Sequence, residues 1–178
     1  MNNDTNNSNN PTDPNPEAES DRIATAYHES GHAVMASIVG RPVQKVTIAA
    51  AHIQTGGIRL GACKFKEGRS KSSKDWLEDE VLILFAGMVA ESHFTQQYCR
   101  QGAGQDFRSA RRLLASRAKN ERQLEKLERR LLDKTEYVLA EKAHEQAVRL
   151  IAQELLEKET ISGRAVTHLL QMARQKFS

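Results

Sequence analysis

The sequence predicts a mainly α-helical domain with a small β-hairpin or sheet element. Apolar residues recur at three- and four-residue steps across 23–38, 76–94 and 107–155, whereas apolar and polar residues alternate only within 45–65. A chain of 178 residues, 39% of them hydrophobic, supplies one core and too little for two well-developed domains, so residues 21–178 are read as a single domain.

Residues 1–20 are rich in asparagine, hold three of the four prolines and offer almost nothing to bury, which reads as a disordered leader. They lack the basic start and apolar run of a secretory signal. The formal charge of +3, from 26 basic and 23 acidic side chains, implies a surface of mixed sign and gives no support for nucleic-acid binding. Cys63 and Cys99 are the only cysteines, enough for one disulfide but not for a thiolate metal cluster, and they point to a reduced, cytoplasmic setting. The most apolar run, Val81 to Ala90, is about half as long as a membrane span and suits a buried core helix.

The first helix is expected to start at Ser20 or Asp21, either of which can cap its free amides, and to end at Gly40 with Pro42 just beyond. Its core stripe is Ile23, Tyr27, Gly31, Val34 and Ile38. Gly31 costs a helix about 1 kcal/mol relative to alanine, which makes sense where another segment or a substrate must approach the backbone closely. From Lys45 to Phe65, Val46 and Ile48 alternate with polar neighbours, Thr55-Gly56-Gly57 marks a turn, and Ile58, Leu60 and Ala62 alternate again. An edge strand there could hold an extended peptide through main-chain hydrogen bonds; a purely structural hairpin would look the same.

Gly68 to Lys74 reads as a solvated basic connection, and Trp76 to Phe94 as the central packing helix. A third helix is expected from Asp106, after the turn Gly102-Ala103-Gly104, with Phe107, Ala110, Leu113 and Leu114 on its apolar face. One long or two shorter charged helices follow between Glu121 and Glu159. Gly163 then breaks the pattern before a short final helix through Leu170.

The chemistry is concentrated in His28-Glu29-Ser30-Gly31-His32. Histidines four apart lie about 40° from each other around a helix and can face one ion. Glu29 is turned about 100° from His28, so it can miss the metal yet reach a water beside it. The bland alternative is a surface helix that happens to carry two histidines. A catalytic zinc takes three protein ligands and keeps one position open, so a further ligand is required. The spacings of the common zincins fail: Met35 and Ile38 stand where a glycine and a histidine would be needed, and no carboxylate occurs from Ala33 to Lys66. His52, Cys63, Glu67, Glu91, His93 and Asp106 all remain open on chemistry alone. For Asp106 the structural alternative is a helix cap accepting a backbone amide.

Five segments carry a resemblance. His28-Glu29-Ser30-Gly31-His32-Ala33 looks like the HEAGHA segment of the peptidase domain of the FtsH family, the membrane-bound ATP-dependent zinc metallopeptidases, and Lys45-Val46-Thr47-Ile48 resembles its KVTI strand. Ala86-Gly87-Met88-Val89-Ala90-Glu91 is similar to its GGRAAEE helix, Gly102-Ala103-Gly104-Gln105-Asp106 to its GASND segment, and Leu155 to Gly163 to its closing LLEKETLDG. The five stand in the family's order. The resemblance implies Zn²⁺ held by His28, His32 and Asp106, with Glu29 as general base. The match is incomplete: Met88 and Ser92 stand where the family has arginine and a second glutamate, and no GxxxxGK[ST] loop or transmembrane segment is present.

The expected function is that of a zinc metalloendopeptidase acting on peptides or unfolded protein segments, without ATPase activity of its own. A homo-oligomer or a separately encoded ATPase partner is compatible with the resemblance. The alternatives are a zinc-containing adaptor or scaffold that binds chains without cutting them, against which the intact Glu29 argues, and a metal-free helical interaction protein.

Overall fold

The structure, a computed structural model, describes residues 16–52, 58–59, 61–96 and 104–178. Among the described residues the helices are α1 (Pro16–Val39), α2 (Trp76–Thr95), α3 (Gly104–Ala115), α4 (Glu121–Leu139), α5 (Lys142–Lys158) and α6 (Gly163–Lys176). The strands are β1 (Val43–Thr47), β2 (Ala51–His52), β3 (Ile58–Arg59), β4 (Ala62–Phe65) and β5 (Thr160–Ser162). The mainly α-helical class with a small β element is borne out.

α1 begins at Pro16, one turn before the expected cap. Proline's fixed φ suits a first helical turn, and Glu17 and Glu19 there complement the positive end of the helix dipole. Residues 1–15 of the expected leader lie outside the described residues. The far end of α1 is as expected, with Gly40 in the left-handed region at φ 82°.

The connection after β4 does more than its expected role as a solvated linker. Arg69 Nη2 donates to Val39 O at 2.8 Å, Ser70 N to Gly40 O at 2.8 Å, and Lys71 Nζ to Ile38 O. These donors satisfy carbonyls that the last turn of α1 leaves without intrahelical partners, and two of them bring positive charge to the negative end of its dipole. The partners lie some thirty residues apart in sequence, so local pattern does not reveal them.

β1 is the middle of an antiparallel three-stranded sheet ordered β4-β1-β5, with Val46 opposite both Cys63 and Ile161. β2 and β3 form a separate antiparallel pair, so the span expected to hold a hairpin or two short strands contributes to two ladders; its Thr55-Gly56-Gly57 turn lies outside the described residues. β5 was not anticipated: three residues with only Ile161 buried leave no period to read. The charged C-terminal region forms two helices, α4 capped by Asn120 and α5. α6, capped by Ser162, runs on to Lys176. No helix among the described residues is long and apolar enough to cross a membrane.

The core lies where α2 crosses α1, and α5 covers the other side of α1 with Ile151, Ala152 and Leu155. From Glu29 to Ala36 every residue of α1 is buried, so the core surface is much wider than the expected stripe. Small residues set the crossing distance. A Cβ on Gly31 would lie 2.2 Å from the Ala86 carbonyl oxygen and 2.7 Å from the Ala90 Cβ. Helix propensity alone would make Gly31→Ala stabilising by about 1 kcal/mol, whereas forcing a methyl into a filled contact costs about 1–3 kcal/mol. The backbone contact should win, so Gly31→Ala should lower the urea midpoint; an unchanged or raised midpoint would contradict the close crossing.

Candidate metal centre

α1 carries His28 and His32 one turn apart, and their rings stand 4.7 Å apart at 81°. α3 enters from the other side and points Asp106 at them. Its Oδ2 lies 3.1 Å from His28 Nε2 and 3.2 Å from His32 Nε2, and donor atoms of the three residues all fall within 4.8 Å of one another. Asp106 stands in the first turn of α3 with its carboxylate turned to both imidazoles.

α2 fixes the direction of both rings. His32 Nδ1 donates to the Ile83 carbonyl at 2.7 Å, and His28 Nδ1 lies 2.9 Å from Glu91 Oε2. With both Nδ1 atoms engaged outward, both Nε2 atoms face Asp106, an arrangement typical of metal-ligating histidines. Between these two contacts α2 has Gly87, where a Cβ would lie 2.6 Å from either Nε2. A side chain there would occupy the space between the rings and Asp106.

Glu29, 6% exposed, shares with the histidines a cleft of about 420 Å³, one wall of which is Phe65, Ile83 and Leu84. The charges inside it are strongly coupled. Burial disfavours a charged His28, but hydrogen bonds to Asp106 and Glu91 outweigh it and raise the ring from 6.5 to about 9. Burial likewise opposes a charged Asp106, and the two imidazoles outweigh it, holding the carboxyl well below its usual range.

The structure sorts the other sequence candidates. Cys63 lines the cleft but is not in the three-residue cluster. Glu91 engages the outward nitrogen of His28. His93 and Glu67 are exposed, with His93 at a separate small cavity. The side chain of His52 and the Gly102-Ala103 part of the turn lie outside the described residues. Ser92, one of the departures from the resembled family, donates to Val89 O in its own helix at 2.8 Å. Sequence reasoning missed the Ile83 carbonyl, which no side chain signals, and saw Glu91 only as a rival ligand.

Two imidazole nitrogens and a carboxylate oxygen are a donor set that zinc accepts, and the outward hydrogen bonds leave those nitrogens facing inward, so the residues fit the metal. The sequence profile of Peptidase family M41 matches residues 17–120, a span that includes the whole cluster. The ATP-dependent zinc metalloprotease FtsH of Protochlamydia amoebophila is 41% identical over 102 residues, 55% of this chain and 10% of that protein. The protein of the same name from Cupriavidus metallidurans is 40% identical over 99 residues, 53% of this chain and 14% of that protein. A chloroplastic ATP-dependent zinc metalloprotease FTSH of Medicago sativa is 28% identical over 188 residues, 82% of this chain and 26% of that protein. These matches thus span between a tenth and about a quarter of each relative.

In chelator-treated protein the coupling has a definite sign. The folded value for His28 lies above its ordinary one, so its contribution to stability is complete below pH 6.5 and is lost as pH rises through about 9. The urea midpoint should fall over that window, and His28→Ala should flatten the fall. A profile equally steep in the variant would contradict the coupling.

Proposed function

We infer that this chain, which belongs to peptidase family M41, is a zinc-dependent endopeptidase for peptides or unfolded protein segments, working in a reducing, cytoplasmic setting. The observation that carries this reading is the convergence of His28, His32 and Asp106 beside a buried glutamate in an open cleft. His28 Nε2, His32 Nε2 and an Asp106 carboxylate oxygen would hold the zinc, which supplies Lewis acidity that acidifies water and polarises a carbonyl.

The chain's own groups do the rest. Glu29 takes the proton of the attacking water and then gives it to the amine that leaves. Glu91 and the Ile83 carbonyl keep the imidazoles turned inward. Among the described residues β4 is paired on one side only, so its other edge is open to an extended peptide through main-chain hydrogen bonds. Gly61, Cys63 and Phe65 place that strand along the cleft, and Phe65, Ile83 and Leu84 offer a wall for an apolar side chain. The 178 residues contain no phosphate-binding loop, so ATP hydrolysis is not assigned to them. An ATPase acting with one or several copies of this chain would be the source of unfolded substrate.

The purified chain should carry close to one zinc. Asp106→Ala should weaken zinc far more than Glu91→Ala, because a lost ligand outweighs a lost orienting bond, which typically costs about 10–100-fold. The reverse order in a zinc titration would reassign the third ligand. Glu29→Gln should retain zinc and melting temperature yet lose about 10²- to 10⁴-fold in hydrolysis of an unfolded test protein. If the unmodified, zinc-loaded chain binds peptides of a broad library and cuts none, a scaffold replaces the peptidase.

A further inference from the structure

We propose that Gly61 is a positioning residue for Glu29, and that through it strand β4 sets where the base stands; the proposal rests on the peptidase reading above. Gly61 is buried and immediately precedes β4. A Cβ built on it would lie 2.7 Å from Glu29 Oε1, 2.9 Å from Glu29 Cγ and 2.8 Å from Thr25 Cγ2. The main chain entering β4 therefore lies directly against the carboxylate, in a space that any other residue would fill.

What surrounds Gly61 determines the consequence. At Gly31 an added methyl meets a backbone carbonyl of a packed helix, which cannot retreat. At Gly61 it meets the end of a flexible carboxylate side chain and one threonine methyl, so the least costly response is for Glu29 to swing away. The hydrogen bonds that orient the two imidazoles run to α2 and not to Glu29, so that movement leaves them in place. For the base it matters: proton transfer needs a heavy-atom separation of about 2.6–3.2 Å, and a displacement of about an ångström is enough to cost a reaction orders of magnitude. β4 is also the strand whose open edge would take the substrate, so the segment that aligns the peptide is continuous with the residue that holds the base.

The test is a double-mutant cycle between Gly61→Ala and Glu29→Gln, followed by single-turnover cleavage of an unfolded test protein with the chain in excess. Gly61→Ala alone should keep one zinc per chain, lower the saturating single-turnover rate constant at least tenfold and leave the half-saturating chain concentration within about twofold. In the Glu29→Gln background the same substitution should change the rate less than twofold, because the group it acts through is gone. A similar loss in both backgrounds, or a single-turnover rate constant within twofold of the unmodified chain, overturns the proposal. Should Gly61→Ala fold poorly, Thr25→Ala combined with it removes the methyl contact and leaves the carboxylate contact. The low single-turnover rate should persist in that double variant, and full recovery would assign the effect to Thr25 and overturn the proposal. The peptidase reading fails separately, if the unmodified chain cuts nothing.

Discussion

The site depends on how closely α2 crosses α1. Gly31 lets the Ala86 main chain come against α1, and that approach carries the next residue, Gly87, between the two imidazoles. The same crossing brings the Ile83 carbonyl and the Glu91 carboxylate within hydrogen-bonding distance of the two Nδ1 atoms. These contacts share one interhelical distance. Moving α2 outward by the width of a methyl group would release both rings, because N–H···O hydrogen bonds span only about 2.7–3.2 Å. The burial of every residue from Glu29 to Ala36 follows from the same closeness, so the core and the metal centre are one construction.

The two histidines are held by chemically different partners. His32 is tied to a neutral carbonyl that cannot titrate or rotate away from its helix. His28 is tied to a carboxylate, which strengthens the bond and favours a positive ring. The cleft thus has one imidazole fixed mainly by geometry and another whose charge is favoured by its partner. Glu29 lies beside them under the control of neither partner, against the start of β4. The imidazoles are thus oriented by α2, whereas Glu29 lies against the start of the sheet.

The legible parts of this design were those written in short-range periods. The i, i+4 histidines, the close approach at Gly31, the α1 terminus at Gly40 and the buried α2 follow from spacing and from what each side chain can bury. The choice of Asp106 did not: five other groups had suitable chemistry, and only the family resemblance singled it out before the structure brought it to the histidines. The Ile83 carbonyl was invisible because every residue has one. The strap from Arg69 to Lys71 and strand β5 were missed for a related reason, since each owes its conformation to partners far away in sequence rather than to its own composition. Pro16 falls in the expected leader because the residues around it offer almost nothing to bury, although proline's fixed φ suits a first helical turn.

The most direct measurement of the central claim is zinc K-edge X-ray absorption on the zinc-loaded chain. The account predicts a low-coordinate ion with only nitrogen and oxygen neighbours at about 2.0–2.2 Å, two of them imidazoles. A sulfur shell at about 2.3 Å, which would bring in the cleft thiol of Cys63, or a single imidazole in the scattering pattern, would contradict it.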